Sequence, residues 1–150
     1  MYFNNLTKVN TEFANVLKGD EMAKNYDIVH TFPDNSVAFP ISTPAISFGI
    51  KKANIPIGFA TYTGLDFDEK KHYGTIASIV YDLKICVGKN AGGDSCYQVF
   101  DDIANRLLAT NNFRLINIYC EDIYYDRVMG ALILNAGVEI SVDFDSIATS

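Results

Sequence analysis

The chain has 150 residues and a net charge of −6, with 49% apolar and 20% charged residues. That length suits one α+β-sized domain whose core needs no metal or disulfide staple. The acidic balance disfavours a surface that grips nucleic acid, which would be basic, although an acidic wall would still let DNA slide past.

Met1-Tyr-Phe-Asn-Asn carries neither a basic n-region nor an apolar core, so no signal peptide is expected. Apolar runs break well before the length of a membrane span, so none is expected. The first element is a helix over 4–18. Leu6, Val9, Phe13, Val16 and Leu17 recur at helical spacing, and Gly19 follows as a stop.

YDIVHTF (26–32) reads as a short strand, ended by the turn Pro33-Asp-Asn-Ser. AISFGIKKANI (45–55) is a second strand, stopped by Pro56 and Gly58. The next segment, 57–74, holds three glycines and a charged patch without sustained period. It reads as a long loop, and loops of that length in a compact domain are usually functional or disordered. Phe59, Tyr62, Leu65, Phe67 and Tyr73 make it a candidate contact surface toward another subunit.

TIASIVYDLKICV (75–87) is a long strand. Ala77, Ile79, Tyr81, Leu83, Ile85 and Val87 share one face, with Ser78, Asp82 and Lys84 on the other. A helix over 97–110 follows, with Val99, Phe100, Ile103, Leu107 and Leu108 on its apolar side. Ser95 and Gln98 stand at capping-box spacing. FRLINIYCEDIYYDRV (113–128) is strand-rich with a bend at Glu121-Asp122. ALILNAGVEISVDF (131–144) alternates with Leu132, Leu134, Ala136, Val138, Ile140, Val142 and Phe144 on one face. Residues 145–150 read as frayed.

The expected architecture is a single domain over 1–150 of α+β class, in the order α-β-β-β-α-β-β. A mostly antiparallel twisted sheet carries two amphipathic helices on one face. The opposite face is polar, but Ile76 and Ile118 are assigned to it.

VGKNAGGDSC (87–96) joins a strand to a helix through three glycines and a lysine, the setting of a phosphate loop. A P-loop needs its Lys and Ser/Thr where the helix begins. Here Lys89 follows the strand directly, and Asp94 puts a carboxylate where the helix dipole would attract phosphate. The glycines read as a turn, and no nucleotide or other cofactor is expected. Cys86, Cys96 and Cys120 match neither a disulfide framework nor a zinc site and read as buried reduced thiols. His30 and His72 have no metal spacing and no nucleophile beside them. Asp101-Asp102 and Glu121-Asp122 are adjacent pairs whose side chains diverge on a helix or a strand. No catalytic, metal or cofactor residues are assigned, and an enzyme is not expected.

TPAISFGIKKANI, IVYDLKICV with its Gly-rich joint and CYQVFDDIANRLL, and INIYCEDIYYDRVMGALILNAGVEISV resemble, in that order, the tail-terminator (tail-completion) proteins of long-tailed bacteriophages and related phage-tail-like bacteriocins. The likeness covers roughly 1–144 in element order and 44–144 in texture. The joint and Tyr125-Asp126-Arg127 weigh most. The family has no catalytic motif, so no site residues carry over. The resemblance implies a subunit of a hexameric ring on the last ring of the tail tube, where it stops polymerisation. Its implied partners are its own copies, the tail tube protein, the head connector and, in contractile particles, the sheath. It implies no sequence-specific nucleic acid and no membrane. The implied location is the host cytoplasm during assembly, then the virion tail or a released tail-like particle. Another tail or head–tail joining part (connector, tube or baseplate) is the alternative. A small-ligand or nucleotide-binding domain would need a polar pocket that these motifs do not assemble.

Overall fold

A computed structural model describes residues 2–29, 43–56, 61–65 and 71–145. In chain order its elements are β1 (Tyr2–Phe3), α1 (Leu6–Leu17), α2 (Asp20–Asn25), β2 (Asp27–Val29), β3 (Ala45–Asn54), β4 (Thr61–Leu65) and β5 (Lys71–Gly88). A 3₁₀ turn (Lys89–Ala91) leads to α3 (Gly93–Ala109), β6 (Arg114–Asp126) and β7 (Ala131–Asp145).

β5 and β7 are the spine. They pair antiparallel from Gly74↔Asp145 to Gly88↔Ala131 without interruption. Each is long enough for two strands to share its other edge. β3 and β4 lie end to end along β5, while β6 and β1 lie end to end along β7. α3 crosses from β5 to β6. These two strands run parallel to each other but are separated by antiparallel β7, so no adjacent parallel pair flanks the helix.

The α+β class holds, but the sheet is mixed. β1 pairs parallel to β7 and β2 parallel to β3. Strands of two and three residues are too short to carry a readable alternation. α2 and β4 also add to the expected order. β4 pairs antiparallel with the start of β5, so 57–74 is not a loop throughout. Gly64 and a register shift between Tyr62 and Gly64 break the period of two that would have marked the strand. Residues 57–60, 66–70, the 33–36 turn and 146–150 lie outside the described residues.

Cross-strand partners point to one face, so the register sorts the side chains. Ile79↔Ile140, Tyr81↔Val138, Leu83↔Ala136 and Ile85↔Leu134 form a buried layer. Val9, Phe13 and Leu17 of α1 and Val99, Ile103 and Leu107 of α3 close over it in one core. Both helices therefore cover the same sheet face. The Phe13 ring stacks on Tyr81, with centroids 3.8 Å apart and planes 5° apart, and Phe48 and Phe113 pack beside them. Burying side chains of this size contributes about 1.5–3 kcal/mol each. Tyr81 keeps its polar end satisfied by donating to Asn10 Oδ1 at 3.2 Å.

Local signals hold the helices. Asn5 caps α1 by accepting from Lys8 N at 2.8 Å. Arg106 of α3 donates through Nε to Val16 O at 2.9 Å, satisfying a carbonyl in the last turn of α1 and tying the two helices together. α3 starts at Gly93, without a side-chain cap. Ser95 is thus inside the helix, where its Oγ donates to Ala91 O, and the expected capping box is not made. Leu108, assigned to the apolar side, is 68% exposed.

Two irregularities shape β6. One extra residue, Ile116, lies between Leu115 and Asn117, and one more between Cys120 and Ile123, where Glu121 and Asp122 together oppose Asn135. The expected bend at Glu121-Asp122 is this bulge. The first bulge shifts the phase, so that Ile118 pairs with Val138 on the helix face and packs against the core. Of the two isoleucines assigned to the open face, Ile76 alone is there, pairing with Asp143 and 57% exposed.

Candidate functional site

β5 and α3 meet at a glycine-rich joint. Gly88 ends the strand, one 3₁₀ turn follows, and Gly92 takes φ +81°, ψ 162° before α3 begins. That backbone region is open essentially to glycine alone. Lys89 is exposed in the 3₁₀ turn, and Asp94 occupies the first turn of α3. The joint is a sharp corner whose helix end already carries its own anion.

Asp102 accepts a hydrogen bond from the Tyr26 hydroxyl, while Asp101 is exposed. Burial, the Asp102 hydrogen bond and its charge push the Tyr26 phenol up to about 12. Glu121 and Asp122 are exposed at the β6 bulge. His30 lies outside the described residues, and His72 is in β5 opposite Gly64. Among the described residues no three His, Cys, Asp or Glu side chains are grouped to hold a metal.

The thiols divide. Cys86 and Cys96 are buried and Cys120 is exposed on β6, against the expectation of three buried thiols. Burial pushes the Cys86 thiol up to about 11, with Lys84 opposing, and burial also raises Cys96. No described helix is long and apolar enough to cross a membrane.

Of the candidate contact residues, Phe59 and Phe67 lie outside the described residues. Tyr62 and Leu65 are in β4 and Tyr73 is in β5. Tyr62 is the register partner of Tyr73, and Leu65 that of Lys71. A strand pair, rather than a free loop, thus brings Tyr62 and Tyr73 together.

The structure adds a surface that the sequence reading did not single out. β6 is thirteen residues long and pairs on one side, with β7; among the described residues its outer edge is unpaired. Ile116, Tyr119, Tyr124 and Tyr125 along it are 36–56% exposed, and Val128 just beyond is 91% exposed. Large apolar groups gathered along an open edge mark an interaction surface. The available signal was the lack of clean alternation in RLINIYCEDIYYD, where apolar residues occupy both phases.

The open sheet face carries a small buried cluster of Ala45, Cys86 and Ile133 and, beside it, polar side chains. Lys51 of β3 and Glu121 of β6, with β5 and β7 between them, line one cleft of about 340 Å³ together with Asp82, Lys84 and Asn135. Arg114 bridges β6 to β7 at one end of this face, 3.1 Å from Asp143 and 3.2 Å from Ser141 Oγ. A second polar cleft, of about 450 Å³, lies between α2 and α3 and is lined by Glu21, Asp102 and Arg106 among others. No protein-family model matches the chain, and neither does any curated protein.

Proposed function

We propose that this chain is a structural subunit of a phage tail or phage-tail-like particle. It assembles with copies of itself into a ring, hexameric by resemblance, on the end of the tail tube. There it terminates tube polymerisation and offers a surface to the head connector or the sheath. Its role is assembly rather than catalysis, exerted first in the host cytoplasm and then in the finished particle. The observation that carries the reading is the open edge of β6 with its exposed Ile116, Tyr119, Tyr124 and Tyr125. A monomer that leaves so long an edge and so many aromatics in water is built to be covered. The order and texture of 44–144, which resemble the tail-terminator family, supply the kind of cover.

The same edge would serve another ring-building tail part, and one experiment separates the two. Particles made without this chain are imaged by electron microscopy. Tubes of uncontrolled length, or tails that fail to join heads, support termination. Absence of tubes points to a tube or baseplate part, and tails of normal length remove the tail reading altogether.

A further inference from the structure

We infer that copies of this chain join head to tail, with the acidic β6 edge of one meeting the basic β3 edge of the next. The inference rests on the self-assembly part of the reading above and names the surfaces that perform it.

The two edges lie at opposite sides of the spine and carry opposite charge. From Asn117 to Asp126, β6 holds Glu121, Asp122 and Asp126 and no basic residue. From Ile50 to Asn54, β3 holds Lys51 and Lys52 and no acidic one. Among the described residues β3 is paired on its outer side at Ala45, Ile46 and Ser47, short of the lysines. Lys51, Lys52, Glu121 and Asp122 are all exposed. None of the four side chains makes a hydrogen bond or an ion pair among the described residues, whereas Arg114 and Asp143, on the same sheet, satisfy each other. Asp126 is spent on its own turn, accepting from the backbone of Val128 and Met129.

Each charged pair also sits at a register irregularity, Lys51 in β3 and Glu121-Asp122 in β6. Charges and bulges at sheet edges normally block unwanted pairing. Blocking alone needs no particular sign, and a chain of net charge −6 could have used carboxylates at both edges. With opposite signs, each edge repels its own kind and attracts the other. Acidic-to-acidic and basic-to-basic contacts are disfavoured, so the two-fold dimer is selected against. The acidic-to-basic contact is heterologous, and a heterologous contact whose rotation closes makes a ring. The exposed tyrosines of β6 supply apolar cover to a contact that the charges orient.

The test reverses one edge at a time in the full chain. Glu121→Lys with Asp122→Lys leaves both edges basic, and Lys51→Glu with Lys52→Glu leaves both acidic. Sedimentation velocity over a concentration series, with and without tail tubes, reads association; circular dichroism and the melting midpoint confirm folding. The wild type should associate in a salt-sensitive way. Each variant alone should associate about tenfold or more weakly, because like charges now face each other. An equimolar mixture of the two should recover association, and so should the chain with all four reversals. Self-association that neither reversal weakens would overturn the edge contact and leave the ring standing. A wild type that stays monomeric at every concentration, even on tubes, would overturn the ring and the contact with it.

Discussion

The far end of the Tyr119 side chain (Cζ, Oη and Cε1) occupies the place where a β-carbon on Gly137, its register partner on the neighbouring strand, would be. The glycine is buried under the ring while Tyr119 is 36% exposed at its rim. An edge aromatic thus covers a hole in the centre of β7, and the glycine lets the two strands approach.

The Gly137→Ala variant should therefore lose stability, by about 1–3 kcal/mol, as overpacked sites do. Tyr119→Ala in the same chain should recover part of that loss, because the collision is between these two groups. A double-mutant cycle from urea unfolding measures the coupling. Additive losses would mean that the ring moves aside without cost.

The corner before α3 should be intolerant at one position and permissive at the next. Gly92→Ala should cost about 1–3 kcal/mol, since φ +81° is strained for any side chain although the space around it is open. In Gly93→Ala the new methyl would meet Ile123 Cδ1 at an ordinary 3.4 Å. That variant should keep its stability or gain about 0.5–1 kcal/mol from the better helix former. Thermal unfolding of the two variants side by side decides it.

In the native chain one thiol should react quickly with a small aromatic disulfide and two should not. Cys120 is exposed, while Cys86 and Cys96 are buried with thiols held protonated at neutral pH. All three should react in denaturant. Cys120→Ser should abolish the fast phase, and a fast phase that persists would place Cys86 or Cys96 nearer solvent.

Stability should fall in alkali. The Cys86 thiol is raised from 9.0 to about 11, so the unfolded chain ionises first and the loss begins above pH 9. Tyr26, raised from 10.0 to about 12, adds a loss between those values. Both contributions are fully present below the unfolded values and vanish as pH rises through the folded ones. Urea midpoints in reducing buffer from pH 8 to 12 follow the decline. Cys86→Ala should make its lower part shallower and Tyr26→Phe its upper part, with a remaining loss from buried Cys96 and Tyr81, whose ionisations burial also raises.

What the sequence displayed was continuity of pattern, and what it concealed was interruption. β7 alternates from Leu132 to Phe144 without a bulge against β5, and its inner face was legible from Leu134 to Phe144, although Leu132 is only half-buried and Ala131, Ile133, Gly137 and Ser141 are buried on the other face. β6 has two bulges, so the phase counted from one end fails at the other, and Ile118 was assigned to the wrong face. β4 was hidden because Gly64 and the shift after Tyr62 erase a period of two within five residues. Leu108 is at an apolar position of the helical wheel but beyond the reach of the sheet, which no wheel records. Of the expected contact residues, Tyr62 and Tyr73 fall in a strand pair rather than a loop, and the edge of β6, unpaired among the described residues, was not legible, because an open edge is a property of strand order, which residue types do not reveal.

The parallel contact of β1 with β7, in which Tyr2 and Phe3 lie against Asp143 and Phe144, sets a clock on the molecule. During synthesis the strand that Phe3 packs beside does not exist until Asp143 and Phe144 have been made, on the order of ten seconds later at ordinary elongation rates. β5 meanwhile waits with one edge bare, because its long partner is also last. A nascent chain can form α1 and the hairpin of β4 with β5, but it cannot close the sheet. Closure thus waits for β7, so that a chain stalled or cut short before that strand would present a half-built sheet to proteases and chaperones rather than a subunit to its neighbours.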